Sequence, residues 1–403
     1  MSTPAAGQAF GWRSPAAMLM LMAVANQFAF ATWWTLSTNF AVQVIGMNGA
    51  EFGLQQSLRE VPGFLAFTVV FVLLLMREQT LALVSLLVLG VGVAATGFFP
   101  SVWGFLITTM IMSVGFHYYE TMNQSLSLQW LDRKTAPIWI GRIISAGAIA
   151  QLFAYGAIAV LWEPLGLDFV TAFAVAGGAT ILATIVVALV YPRFPQGVVQ
   201  NKGIVLRRRY WLYYALTFFD GARRQIFIVF AALLMVQKFG YGVTEMGLLF
   251  LVNGLVNVFV APRAGAAIVR FGERNTMTVE QIGLVTLFVA YALVGNPILA
   301  GVLFCLDNAV WQLHIAHRTY FQKIADPADI APTAGVAFSI NHIAAIVLPA
   351  LLGLVWLWSP AAVFLIGAAI AAGGFVLTRF VPHDPRPGRE TLLARSPSAA
   401  PAE

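Results

Sequence analysis

A single cysteine, Cys305, stands in 403 residues. That excludes an intrachain disulfide framework and a thiolate metal cluster. Charge is scarce too, with 10% of residues Asp, Glu, Lys or Arg, against about 25% in soluble domains. G-x-S-x-G, H-E-x-x-H and P-loop motifs are missing, so nothing sets a nucleophile, a catalytic zinc or a nucleotide in register. No enzyme and no cofactor is expected. What the sequence has in quantity is apolar: 60% of residues are hydrophobic and the mean hydropathy is +0.81. Such a composition places the chain in a bilayer.

Runs of about twenty apolar residues, long enough to cross ~30 Å of hydrocarbon, occur near 16–42, 52–76, 79–98, 102–130, 138–161, 167–191, 211–236, 244–268, 276–295, 297–324, 333–357 and 359–381. The first follows Arg13 but is too long for a signal peptide and has no small-residue cleavage site. It is read as a retained helix. Lys and Arg accumulate in cytoplasmic loops. Arg13, Arg77, Arg133, Lys134, Arg193, Lys202, Arg207, Arg208, Arg209, Arg270, Arg274, Lys323 and Arg379 fall on one face, while Lys238 shares the other with Glu51, Glu163, Asp168 and Glu245. Both termini are therefore expected in the cytoplasm, the membrane being the bacterial inner one. This asymmetry accounts for the sequence pI near 9.6 without a nucleic-acid partner. Residues 1–15 read as a cytoplasmic tail, and 382–403, rich in Pro, Ser and Ala, as a disordered one.

A shift of 194 residues lays 46-GMNGAEFGLQQS-57 over 240-GYGVTEMGLLFL-251, matching both glycine positions and the E-x-G-L core. The same shift lays 141-GRIISAGAIA-150 over 335-GVAFSINHIA-344 and Trp162 over Trp356; a slightly larger one brings Pro100 onto Pro297 and His117 onto His314. Two six-helix halves, 16–191 and 211–381, joined by a basic linker at 192–210, follow from this repeat. The fold class is all-α integral membrane with twelve transmembrane helices in two pseudo-symmetric halves.

The loop 265-GAAIVRFGER-274 keeps Gly265, Arg270, Gly272 and Arg274 at the spacing of a loop motif in the major facilitator superfamily, and with the twelve-helix duplication the chain resembles that family. Val269 stands where the family has an Asp, the first half has only 76-MREQT-80, and the fifth helix lacks the glycine-proline signature of drug/proton antiporters. The resemblance implies a transporter whose first, fourth, seventh and tenth helices line a cavity, with the loop from Gly265 to Arg274 acting in gating.

The charged residues at membrane depth become the candidate site on that reading. A charge at the bilayer centre costs about 2.5–3.5 kcal/mol on insertion scales and is normally paired or facing a cavity. On the seventh helix Asp220 is three and four residues from Arg223 and Arg224, so either arginine can lie beside it. One is left over, for substrate or for a neighbouring helix. On the tenth, Asp307, Trp311, His314 and Arg318 form one stripe at i, i+4, i+7 and i+11, with His317 off it at a helix contact. On the fourth, His117, Glu120 and Gln124 share a face flanked by Tyr118; Glu120 has Arg142 as one candidate partner. The first helix offers Asn26, Phe30 and Trp33. Arg59 and Glu60 are consecutive and are expected to make separate interhelical contacts.

Arg223, Arg224, Trp311, His314, Arg318, His117, Tyr118, Asn26 and Trp33 are thus the expected substrate contacts, and Glu120, Asp220 and Asp307 the expected proton carriers. No close chelating pair selects for a metal. The expected function is proton-coupled secondary transport of a small organic anion by a monomer in the lipid bilayer. Efflux of amphipathic drug-like compounds is the alternative, with a transport-inactive sensor or assembly factor behind it.

Overall fold

The computed structural model describes residues 11–132, 135–195, 206–326 and 329–393, and all twelve expected segments are helical in it. The first is α1 (Pro15–Asn39), extended by a π-helical stretch at Phe40–Ile45. α2 (Gly49–Phe64) contains Pro62 and gives way to a 3₁₀ turn at Leu65–Thr68 and the short α3 (Val69–Val72). α4 (Glu78–Thr96), α5 (Val102–Trp130), α6 (Ala136–Leu161) and α7 (Phe169–Val190) follow without interruption.

The seventh segment is α8 (Trp211–Gln225), a π-helical stretch at Ile226–Ala231 and α9 (Ala232–Gln237). α10 (Val243–Leu293) holds the eighth and ninth, divided at Gly272, whose φ of 77° and ψ of 164° no helix can contain. The tenth is α11 (Pro297–Trp311), a 3₁₀ turn at Gln312–His314 and α12 (Ile315–Ile324); α13 (Ile330–Trp358) and α14 (Pro360–Thr378) complete the chain. Helix starts are set by side chains that accept the amide three residues on: Ser14, Ser101, Asp168, Asn296 and Ser359, the residue types that satisfy first-turn N–H groups.

Eight of these helices, among the described residues, are long and apolar enough to cross a membrane. The second and seventh segments fall short because of their charges, Glu51, Arg59 and Glu60 in the one and Asp220, Arg223 and Arg224 in the other. In α5 the polar run 117-HYYETMNQSLS-127 lowers the hydropathy.

The chain forms two compact units. One gathers Met1–Gly46, Leu58–Val199 and Gly242–Leu248, the other Met47–Ser57, Gln200–Tyr241 and Leu249–Glu403. The two short segments that leave their own half, Met47–Ser57 and Gly242–Leu248, are the ones the internal repeat aligns. In the second unit Gly53 lies against the Pro349 carbonyl and Gly353, so close that a Cβ would collide; in the first, Gly247 lies against Ala159 less tightly, a Cβ there coming within 3.1 Å of its backbone. Gly353 and Ala159 are 194 residues apart, so the repeat extends to a helix crossing that only small residues permit.

One end of the second unit is closed by an apolar cluster including Tyr210, Leu212, Met277, Tyr320, Phe321 and Val381. There the start of α8 meets the α12–α13 connection. Arg207 pairs bidentately with Asp329 at 3.1–3.4 Å, and Arg209 pairs with Asp326 and Asp329. The Tyr210 hydroxyl donates to Asp329 at 3.0 Å.

The tail differs from expectation. Its segment from His383 to Leu393 folds back: the Tyr320 hydroxyl donates to the Glu390 carbonyl at 2.5 Å, the Leu392 amide to Phe380 at 2.9 Å, and Glu390 and Thr391 are buried. Composition suggested disorder, yet backbone groups here find partners on α12 and at the end of α14. Residues 394–403, residues 1–10 of the N-terminal tail and 196–205 of the linker lie outside the described residues, as do Arg133, Lys134 and Lys202.

Candidate functional site

In the second unit the charges of α8 are buried and paired. Arg223, 1% exposed, donates to the carboxylate of Asp220 and, at 3.0 Å, to Glu280 of α10. His317 of α12 approaches the other Glu280 oxygen at 3.3 Å. Helical spacing left both arginines open as partners for Asp220; Arg223 takes that place, and Arg224, half-buried, has no ion pair among the described residues. Both guanidinium groups stack on Trp311, at 4.7 and 5.5 Å from its ring centroid. Such contacts contribute about 0.5–2 kcal/mol each.

The tenth segment does not form one stripe. The 3₁₀ turn at Gln312–His314 eclipses side chains three apart, which lays His314 on Trp311 at 4.3 Å with 17° between the rings. It also advances the register by a few tens of degrees, carrying His317 inward to Glu280 and leaving Arg318 exposed, without an ion pair among the described residues. Asp307, one turn before Trp311, is fully buried with neither carboxylate oxygen hydrogen-bonded among the described residues.

The sequence reading missed Glu280 and set His317 aside. The signal for Glu280 was present: it is the one carboxylate in the apolar run 276–295, and a membrane-depth carboxylate calls for a partner. For His317 there was none, because an unbroken α-helix points it elsewhere. Asp220, Glu280 and His317 each offer a ligand atom within 4.8 Å of the others. The Arg223 guanidinium already holds two of the three, and its fixed positive charge opposes a divalent cation.

In the first unit, Asn26 is buried and donates to Glu120 at 2.9 Å, so a neutral amide on α1, rather than Arg142, is the partner given to Glu120. Arg142 is exposed and stacks on Trp139 at 4.6 Å. Tyr118 shares a hydrogen bond with Thr68 at 2.6 Å, and His117 is buried against Phe116. Trp33 is fully buried among Phe30 and Phe105, where it packs and lines no open surface. Arg59 and Glu60 pair with each other at 2.5 Å, with Arg59 also over Trp34; consecutive residues met because long side chains curl back beside an aromatic face.

At the Gly272 break, Arg270 stacks on Phe271 and buried Glu273 holds Lys323 at 2.7 Å. Gly265 is half-buried inside α10, Val269 is 89% exposed, and Arg274 lies just beyond the break. Asn257 of α10 accepts from Asn308 and Gln312 at 2.7 and 2.8 Å, an interhelical polar contact of the kind expected in lipid.

Buried ion pairs within a chain of long apolar helices mark a polytopic membrane protein. Residues 13–349 match the profile of the Major Facilitator Superfamily. The chain belongs to that family and is a membrane transporter. A search of curated sequences finds no match. Among solved structures it is similar to the nucleoside transporter NupG in a mutant form, at 13% identity and TM-score 0.76, covering 91% of this chain and 99% of that one. A bacterial homologue of the human lysosomal transporter Spinster, inward-facing and occupied, gives 13% identity and TM-score 0.69, covering 90% and 93%. An auto-inhibited POT family peptide transporter gives 13% and 0.65, covering 90% and 95%. At these identities the likeness is one of fold.

Proposed function

We propose that the chain is a proton-coupled secondary transporter of a small organic anion, working by alternating access as a monomer in a bacterial inner membrane. The observation that carries this reading is the charge balance of the second unit. Three buried carboxylates, Asp220, Glu280 and Asp307, face one fixed buried cation, Arg223. Burial without compensation is costly for each, so protons are the counter-charges available, shared with His317. Asp307, with no hydrogen-bond partner among the described residues, is free to exchange one. Arg224 and Arg318, outside that network, are the cations left for a substrate carboxylate or phosphate, and Trp311 gives Arg224 a flat support. The basic end of the second unit, with Arg207, Arg270 and Arg379, is the cytoplasmic one, and with the sequence halves 16–191 and 211–381 it sets both termini inside.

Proteoliposomes with an imposed pH gradient, offered radiolabelled carboxylates, nucleosides and quaternary amines, test the reading. Gradient-driven accumulation of carboxylates is expected, and Asp307→Asn is expected to abolish accumulation while counterflow of bound solute persists. Accumulation of amines alone would favour the amphipathic alternative. Full gradient-driven accumulation by Asp307→Asn would remove this residue from the coupling and leave Glu120 to carry it.

A further inference from the structure

At the basic end of the second unit, two arginines lie together without an acid. Arg274 follows the Gly272 break of α10, and Arg379 caps α14. Thr278 stands between them: its hydroxyl donates to the main-chain carbonyl of Arg274, one turn back on the same helix face, at 2.6 Å and accepts from Arg379 Nη2 at 2.8 Å. The Nε atoms of both arginines are buried and donate to nothing among the described residues. Neither arginine has an ion pair there. Glu273, the one acid in the adjoining loop, is held by Lys323. Burial and the charge of Arg379 beside it hold the Arg274 guanidinium below its ordinary pKa.

Two like charges with buried, unused donors are a destabilising arrangement by themselves. An anion with several acceptor oxygens, bridging both guanidinium groups, turns each cost into a charge-assisted hydrogen bond. We propose that Arg274, Arg379 and Thr278 form a binding site for a phosphate group, separate from the cluster around Arg223. Phe271, Val279 and Val376 beside it are more than half exposed, an apolar border that suits the phosphate of a lipid headgroup; inorganic phosphate offers the same oxygens.

The test is thermal unfolding of the purified full chain in detergent, titrated with phosphatidylglycerol in one arm and with inorganic phosphate against chloride at matched ionic strength in the other. At least one probe is expected to raise the unfolding temperature, and the arm that responds names the source. Replacing Arg274→Gln and Arg379→Gln together is expected to weaken that response roughly tenfold or more, the loss of a charge-assisted hydrogen bond. Should the double variant not fold, Arg379→Lys, which keeps the charge and loses the planar fork, takes its place with the same expected direction. No shift of wild type by either probe overturns the site, as does an undiminished shift in the variants.

Discussion

Arg223 and Arg224 are neighbours with different work. Arg223 neutralises Asp220 and Glu280 inside the bundle. Arg223→Lys keeps the charge but, on a shorter side chain, draws its nitrogen back from the point where Nη2 meets both carboxylates, and breaking a buried pair costs about 3–5 kcal/mol. A clear fall in unfolding temperature is expected for Arg223→Lys. Arg224→Lys is expected to leave that temperature unchanged and to weaken binding of the transported anion by roughly 10- to 150-fold, the equivalent of about 1.5–3 kcal/mol. Stability lost in the second variant and kept in the first would reverse the assignment. The sequence made the charge cluster legible, since three charges near the centre of an apolar run require partners. Which arginine turns inward depends on Glu280, 57 residues further along the chain, and helical spacing within α8 carries no information about that.

A second residue-scale prediction concerns Asp329, outside the apolar segments. Hydrogen bonds from Arg207, with Tyr210 and Arg209 behind them, hold its carboxyl below the usual carboxylate value. A depressed folded-state pKa gives stability that is present above the unfolded value of ~3.9 and lost as pH falls through the folded one. Wild type is therefore expected to lose stability below about pH 4, through this pair among others. Asp329→Asn is expected to be less stable near neutrality and to lose less on acidification, read from unfolding temperatures across that range. Parallel pH profiles for the two proteins would count against the pair.

Among elements, the breaks matter more than the helices. The helices follow from apolar length and from caps such as Ser101 and Asn296, all visible in sequence. The 3₁₀ turn at Gln312–His314 has no proline or glycine to announce it, and it rearranges the site by bringing His317 to Glu280 and exposing Arg318. Gly272 is the contrary case, a break with a chemical cause, because its left-handed φ suits a residue without Cβ. Gly272→Ala is expected to cost about 1–3 kcal/mol, the strain of a side chain in that region, seen as a lowered unfolding temperature. Gly265→Ala, at a helical position where a Cβ meets nothing within 4 Å, is the control and is expected to be neutral or slightly stabilising. Equal effects at the two sites would mean that the backbone angle at Gly272 is not what sets the turn.

For the whole molecule, the repeat was the most informative feature of the sequence, since one glycine pair it aligned, Gly53 and Gly247, is the pair packed against Gly353 and Ala159. Orientation rests on a different signal, the one-sided distribution of Lys and Arg, and can be tested with the chain's own scarcity of cysteine. Replacing Cys305→Ser removes the one thiol. Single cysteines can then be placed by Pro100→Cys and Glu163→Cys, exposed positions in the connections after α4 and α6, and by Arg389→Cys, exposed in the tail that folds back beside Phe380. The basic loops set the first two outside and the third inside. A membrane-impermeant maleimide added to intact cells is therefore expected to label Pro100→Cys and Glu163→Cys, and to label Arg389→Cys only after the membrane is opened. Labelling of Arg389→Cys in intact cells, with the other two protected, would invert the topology and move the arginine pair at Arg274 and Arg379 to the outer leaflet.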